Sequence, residues 1–532
     1  MDITKLLKEF IGVRSDSGTA LECDMAVKLL SVIREMPYFK AHPSHFGTFD
    51  FGDALRRPIV WALIKGRSER TLVLTGHYDA VNTACYGKNE KAALDPDALT
   101  KAVLEDPGAD PELREDLASG EWLPGRGSND MKAGLAIALS AMDAHDPEDL
   151  SLLFVAVCDE ENLSAGARGA GKLYRELHQR FGLKYELGII LEPSEALMDD
   201  PAVPAYNGSC GKILPVMVVK GCTCHGARVM EGLSAVGLLS RIVLKTELDP
   251  ALISEDQGVF TQPPAVLMQR DLKDYYDVSL PEYAGAAISI TFLKSTRPLD
   301  LIGAIKGRAA EGLAEGIQAY EATYRELAEL GAVRREGERH FTPSVFTCGE
   351  LTALVREQED GEAFLEAERE KMAAQIADRS QNMVGVTLLY IRDLMHKAGV
   401  APGSCAIGIA PPYYPAANND HLGAGAAEMI RDLVQALSPA VSFFDYSQGI
   451  TDMSYLSCSR PEEEEEILEN VPLAGDLYDI DFRLAAEYGF PCLKMGPRGK
   501  CLHQEGERVY LPDLTETVPG LLRQIITIME RP

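Results

Sequence analysis

Long apolar runs are missing from this chain of 532 residues. None approaches the roughly 18–20 residues that a bilayer-spanning helix needs, which excludes a protein anchored by such helices. Basic residues are scarce relative to acids. Lys plus Arg number 52 against 81 Asp plus Glu, a formal net charge of −29. That balance repels phosphate backbones and anionic lipid alike, so neither nucleic acid nor a membrane is expected as a partner. The 11 cysteines are odd in number and thinly spread; no disulfide framework is expected, and reduced thiols are. Cys222-Thr-Cys224 has the wrong spacing for a zinc ribbon. Residues 1–10 mix charge with helically spaced apolar residues and lack the uninterrupted apolar centre of a secretion signal. A cytoplasmic location is the expectation, and Asn207-Gly-Ser209 is then a sequon without consequence. No His-Glu-x-x-His zinc signature occurs. Gly166 to Lys172 fits the first seven positions of a phosphate loop, but Leu173 stands where Ser or Thr must hold magnesium, so no ATP site is expected.

What is there is globular. Apolar residues make up 46% and charged residues 25%, ordinary usage that excludes disorder. At roughly 150 residues per domain the chain holds about three domains' worth of sequence. Short apolar runs at 59–64, 71–75, 152–157 and 187–191 read as strands, and 132–144 and 170–179 as helices. This alternation argues for an α/β fold with a mostly parallel sheet. The pattern then changes. Strand-like 214–219 and 287–293 alternate with helical 234–248, 301–330 and 349–399, and a strand at 406–410 is expected to close at Pro411-Pro412. From about residue 420 the α/β pattern resumes, with helix 423–437, strands 440–446 and 491–495, and a last helix over 513–529. The organisation expected is a catalytic domain in two parts, 1–209 and 418–532, interrupted by an inserted α+β domain at 210–417. The acidic run 462–466 reads as a solvated loop, and His145 and His178 as exposed helix residues without metal-type neighbours.

Four clusters fall at or just past the carboxyl ends of expected strands, where open parallel sheets place their ligands. The first is Gly76-His77-Tyr78-Asp79. Residues two apart on an extended segment face the same way, so His77 and Asp79 face one site, with Asp79 orienting His77 or a second group. The second, Gly125-Arg126-Gly127-Ser128-Asn129-Asp130, presents Asp130 just before a helix. The third is Asp159-Glu160-Glu161 and the fourth Glu192-Pro193. Any one cluster is ordinary; the ordered set is not. Asp79, Asp130, Glu160, Glu161 and Glu192 on one rim repel one another unless cations neutralise them. Mixed His and carboxylate donors suit zinc, two ions rather than one, with cobalt or manganese as substitutes. A pair of ions calls for a second imidazole, and His503 follows another expected strand.

These motifs, with Gly449-Ile-Thr-Asp452 and His503-Gln-Glu505, resemble the zinc metallopeptidase family of carboxypeptidase G, aminoacylase, acetylornithine deacetylase and succinyl-diaminopimelate desuccinylase. The size and extra segments are more similar to its arginine-utilisation, RocB-type branch. The resemblance implies a zinc-peptidase-like catalytic domain with an inserted lid and dimerisation domain. It implies that His77 and Glu192 bind one zinc, Glu161 and His503 the other, and that Asp130 bridges both. Asp79 then orients His77 and Glu160 is the general base. The peptide after the bridging Asp is often cis in that family, here Asp130-Met131. His225, in Lys220-Gly-Cys-Thr-Cys-His225, matches a family histidine that stabilises the oxyanion, often across a dimer. Glu rather than Asp at position 192 resembles the deacylases and carboxypeptidases. A substrate carboxylate would need a cation, for which Lys294 and Arg297 are candidates.

The function expected is hydrolysis of the amide bond of small N-acyl amino acids or short peptides by a homodimeric di-zinc enzyme. The alternatives are a catalytically silent binding or regulatory protein and a single-metal enzyme. The segments 82–121 and 458–481 are extra relative to the family pattern, as is the doubled length of the insert.

Overall fold

The computed structural model describes residues 1–146, 148–194, 202–334 and 337–531. Two compact units emerge. The first comprises Met1–Ser209, Ala417–Ser459 and Asp481–Pro532; the second comprises Cys210–Ala416 and Arg460–Ile480. The second unit thus interrupts the first at 209/210 and returns to it at 416/417, and the later stretch 460–480 packs with the second unit.

The first unit is built on an eight-stranded sheet. Its order is Phe46–Phe49, Ile59–Ile64, Ser151–Val157, Arg70–His77, Lys184–Ile190, Cys492–Lys494, Val203–Tyr206 and Val441–Phe444. The three central pairings, from Ser151–Val157 across to Cys492–Lys494, are parallel. Their carboxyl ends therefore share one edge. Ile59–Ile64 and Ser151–Val157 are buried at every residue, which is why they read as unbroken apolar runs rather than alternating ones. Helices Ile3–Ile11, Lys132–Ala144 and Val518–Met529 pack into the same core, with Phe10, Leu135, Leu139, Leu522 and Ile525 inside.

The helix Lys132–Ala144 is buried from Lys132 through Leu139. Small residues let it lie close to the sheet. A Cβ built on Gly134 would stand 2.1 Å from the Leu191 carbonyl oxygen, and backbone cannot swing aside. This close approach sets the distance between the loop carrying Asp130 and the strand end that precedes Glu192. The Asp130–Met131 peptide is cis, as the family resemblance implied.

The second unit carries a five-stranded sheet in the order Ala265–Asp271, Tyr283–Phe292, Gly211–Lys220, Ser404–Tyr414 and Ser344–Thr347. Only the last pairing is parallel. Helices Ala235–Thr246, Pro298–Glu329 and Met383–Lys397 flank it in sequence.

Three expectations need correction. The run 462–466 is helical, within Pro461–Leu468. Proline at its first turn and acids facing the helix amino terminus favour that state, and buried Glu464 accepts from the Tyr413 hydroxyl and pairs with Lys294 at 3.2 Å. The strand expected to close at Pro411-Pro412 runs on to Tyr414, with an irregular register after Ala410. His145 caps its helix with its side chain 8% exposed, 3.8 Å from Glu530. His178 is exposed as expected. The phosphate-loop-like glycines, from which no ATP site is expected, sit in the helix Ala165–Phe181. Gly166 is there because a Cβ would lie 2.5 Å from the Cys158 backbone nitrogen.

Gly134→Ala should lower the free energy of unfolding by about 1–3 kcal/mol, the usual cost of overpacking. Urea titration with an unchanged m value checks this; wild-type stability would show that the helix does not approach the sheet so closely.

Candidate metal centre

Three of the clusters leave the eight-stranded sheet at its shared edge, while Asp130 and His503 come from loops beside the small sheet of Gly499–Lys500, Arg508–Tyr510 and Trp122–Pro124. His77 ends the strand Arg70–His77, and Glu160 and Glu161 follow Ser151–Val157 by three and four residues. Glu192 follows Lys184–Ile190, Asp130 precedes the helix Lys132–Ala144, and His503 sits on the loop between the short strands Gly499–Lys500 and Arg508–Tyr510.

The side chains converge. His77 Nε2 lies 3.0 Å from Asp130 Oδ1 and 4.0 Å from Glu160 Oε2. On the other side of Asp130, His503 Nε2 lies 3.5 Å from Oδ2 and 2.9 Å from Glu161 Oε2. Asp130 therefore stands between the two imidazoles. Among the described residues, two groups offer ligand atoms all within 4.8 Å of one another: His77, Glu160 and Glu161, and Asp130, Glu161 and His503. Glu192 falls in neither. It is buried and turns Oε2 towards Lys494 Nζ at 3.5 Å.

Asp79 does more than face His77. Its carboxylate is 3.5 Å from His77 Nδ1, which also meets the Asp79 carbonyl at 3.2 Å. The same carboxylate accepts the backbone N–H groups of Glu160 and Glu161 at 3.1 and 3.2 Å and the Ser17 hydroxyl at 2.6 Å. One buried group thus fixes the imidazole and the Glu160-Glu161 turn together.

The electrostatics are those of crowded acids. Burial raises the pKa of Glu160 well above its ordinary value, and repulsion from Glu192, Asp452 and Glu161 adds to it while His77 opposes. Burial and the Asp130 charge push Glu161 up to about 7, against the pull of His503. Glu192 is raised by burial despite Lys494. Asp452, on the short helical turn Asp452–Tyr455, is pushed up to about 8 by burial and by Glu192. Asp130 goes the other way: burial would raise it, but hydrogen bonds from His503 and His77 outweigh that and hold it low. Those bonds raise His503 to about 10.

This donor set fits divalent cations. Imidazole nitrogens and carboxylate oxygens are borderline and hard ligands in the mixture that zinc accepts. Glu161 Oε1 and Glu192 Oε1 are buried and accept no hydrogen bond, an arrangement that is costly for carboxylates unless a cation takes them.

Two supports were not singled out from the sequence. Arg57, 5% exposed, pairs with Glu22 at 2.8 Å and with Asp159, while Glu22 accepts the Asp159 backbone N–H at 2.9 Å. That network braces the turn bearing Glu160. Glu507, fully buried, accepts the backbone N–H groups of Asn129 and Asp130, each at 3.2 Å, and pairs with Arg126. Glu505, the acid noted in the motif, is exposed and accepts from Asn89. Spacing alone could not separate two glutamates two residues apart.

His225 belongs to the second unit, where it is exposed and its Nδ1 accepts the Ala227 N–H at 3.1 Å. Lys294 and Arg297 are engaged by acids of the helix Pro461–Leu468, Lys294 by Glu464 and Arg297 by Glu463 at 3.4 Å.

A model of peptidase family M20/M25/M40 matches residues 73–462. Two proteins of Bacillus subtilis strain 168 are similar over nearly the whole chain. YqjN, itself uncharacterised, is 27% identical, covering 99% of this chain and 96% of its own. RocB is 25% identical, with 98% and 94% covered. Among solved structures, a Staphylococcus aureus tripeptidase shares 13% identity at a TM-score of 0.52, covering 100% of this chain and 98% of that one. YxeP of Bacillus subtilis, described as a dinuclear metal binding peptidase, shares 10% identity at a TM-score of 0.50, with 100% and 98% covered. These structures show the fold.

The raised acids give the cation-free protein a definite pH dependence. Glu161 near 7, Asp452 near 8 and His503 near 10 all lie above their ordinary values of 4.5, 3.8 and 6.5. A group raised on folding contributes stability below its unfolded pKa and loses it as pH climbs through the folded one. In chelator, the Tm should therefore fall between about pH 6 and 9, and Asp452→Asn should flatten the fall. A wild-type Tm independent of pH, or an unflattened fall in the variant, would contradict these shifts.

Proposed function

The chain belongs to peptidase family M20/M25/M40, and from that premise we propose that it is a di-zinc amidohydrolase acting on small N-acyl amino acids or short peptides. Family membership supports a metal-using hydrolase of peptide or amide bonds. The observation that carries the finer reading is Asp130 standing between His77 and His503, 3.0 and 3.5 Å from their Nε2 atoms. Asp130, Glu161 and His503 would hold one cation, and His77 with Asp130 and Glu192 the other. Bound there, divalent cations supply electrophilic polarisation of the scissile carbonyl and acidify water.

The chain's own residues supply the proton traffic. Glu160 has a carboxyl whose pKa burial raises, which makes its carboxylate a stronger base than an exposed one. It would take the proton of the attacking water at a carboxylate oxygen and deliver it to the leaving nitrogen. Asp79 keeps the Glu160 backbone in place through its N–H, so the base is aimed by a buried anchor rather than by its own flexible side chain. His225 is the candidate oxyanion donor. With Nδ1 accepting from Ala227, its proton is on Nε2, ready to be donated.

We further propose a role in amino-acid utilisation, arginine among the candidates. A cytoplasmic setting agrees with cysteines that are odd in number and thinly spread along the chain. No helix among the described residues is long and apolar enough to cross a membrane. We also propose a homodimer through the inserted domain. Strand Ala265–Asp271 is a sheet edge with one neighbour, and Leu244, Leu248 and Leu267 nearby in the same unit are 80%, 63% and 58% exposed. Exposed edges and apolar side chains invite a partner.

Glu160→Gln should keep its full complement of metal and lose turnover by about 10²–10⁴-fold, with a panel of N-acyl amino acids and dipeptides as substrates. An unchanged rate would favour a binding or regulatory protein instead. Asp130→Ala should lose both metals; one retained at full occupancy would indicate a single-metal enzyme. Sedimentation equilibrium should give about twice the 58.0 kDa chain mass, and a monomer would end the dimer reading.

A further inference from the structure

His503 is the most exposed of the clustered ligands, 49% against 16% for Asp130 and 1% for His77. Its backbone is irregular as well. His503 and Cys501 both take positive φ, 62° and 58°, in a loop of seven residues between strands of two and three. Non-glycine residues in that region persist only where their surroundings hold them. The metal-facing imidazole therefore needs an external brace.

The brace is the segment between Asp79 and Asp130. It opens with a 3-10 stretch, Ala84–Ala92, and continues into two helices, Pro96–Glu105 and Pro111–Ser119. Each helix starts on an Asp-Pro pair, the Asp accepting a first-turn N–H and the Pro fixing the first φ. The segment has its own apolar cluster, including Tyr86, Leu99, Val103, Leu113, Leu117 and Trp122. It is a small folded body rather than a slack loop.

This body grips both arms of the His503 hairpin. Asp116 takes Lys500 Nζ at 2.8 Å from one arm and Arg508 Nε at 2.7 Å from the other. Arg508 is 1% exposed and its Nη1 donates back to the Gly506 carbonyl inside the loop at 2.8 Å. Trp122 lies under both cations, 4.8 Å from Lys500 Nζ and 5.5 Å from the Arg508 guanidinium carbon. Higher on the loop, Asn89 donates to Glu505 at 3.0 Å. Glu112 on the same helix adds a second hold, 2.7 Å from Lys500 Nζ and 3.7 Å from Arg508 Nη2, but Asp116 is the carboxylate within hydrogen-bond distance of both strands whose separation fixes where His503 stands.

We propose that residues 84–121 form a clasp that preorganises the second metal site, with Asp116 as its positioning residue. Asp116 acts on His503 through Lys500 and Arg508; a separate contact, the Ala93 carbonyl accepting the Arg126 N–H at 2.9 Å, joins the clasp to the loop that carries Asp130, and Asp116 takes no part in it. This rests on the reading of Asp130, Glu161 and His503 as a metal site. It adds that affinity there is set from outside the ligand shell, as partners behind metal ligands commonly set it by about 10–100-fold.

The test is calorimetric titration of chelator-treated full-length protein with zinc. Wild type should take two equivalents, and His503→Ala should lose the weaker-held one in particular; if wild type binds none, the metal reading itself fails, whatever the clasp does. In Asp116→Ala the second equivalent should weaken at least 10-fold while the first keeps its wild-type affinity. Asp116→Glu, which restores the charge, should recover part of the loss. Hydrogen exchange should speed up in peptides covering 499–508 and stay unchanged at 70–79. Should Asp116→Ala not fold, Lys500→Ala removes one of the two tethers at a partly exposed site and should show the same selective weakening in smaller degree. Unchanged binding of the second equivalent in folded variants, or equal weakening of both, would overturn the clasp.

Discussion

Mutual repulsion among buried carboxylates is the constraint on which the rest of the first unit depends. Asp79, Asp130, Glu160, Glu161, Glu192 and Asp452 lie close enough that the charge of each bears on at least one other. Opposing them are two imidazoles and Lys494. In a low-dielectric setting such a set is stable only if the acids take up protons or cations. The raised pKa values are the signature of the first solution, and the buried unpartnered oxygens of Glu161 and Glu192 leave room for the second.

The fold is arranged to keep these groups together regardless. Three parallel pairings bring strand ends to one edge. Behind the rim, two buried arginines hold the backbone: Arg57 through Glu22 and Asp159, and Arg126 through Glu507. Neither arginine reaches for the cluster itself. Both are engaged by acids behind the rim, Arg57 by Glu22, Asp53 and Asp159 and Arg126 by Glu507, so they fix geometry without contacting the clustered carboxylates. Removing one partner of such a buried pair typically costs about 3–5 kcal/mol, and here the cost would fall on the turn or loop that carries a ligand.

The parts legible in the sequence were those with local cause. Fully buried strands announce themselves as apolar runs, and the helix Lys132–Ala144 follows from its apolar spacing. The candidate ligands stand out because each follows an expected strand end, which is a statement about chain order rather than about distance. What lay beyond reach depends on contacts between distant segments. Glu507 differs from Glu505 only in which way the loop turns it, and Arg57 meets Asp159 across 102 residues. The helix Pro461–Leu468 looked like solvated charge because its partners, Tyr413 and Lys294, are remote in sequence. Gly166 looked like half a phosphate loop, yet it serves helix-to-strand packing.

The central claim is that two dications bind on either side of Asp130. Anomalous diffraction at the zinc edge, on crystals of the zinc-loaded protein, tests it most directly. The account predicts two peaks flanking the Asp130 carboxylate, one against His77 and one against His503. A single peak there, or none, would contradict it.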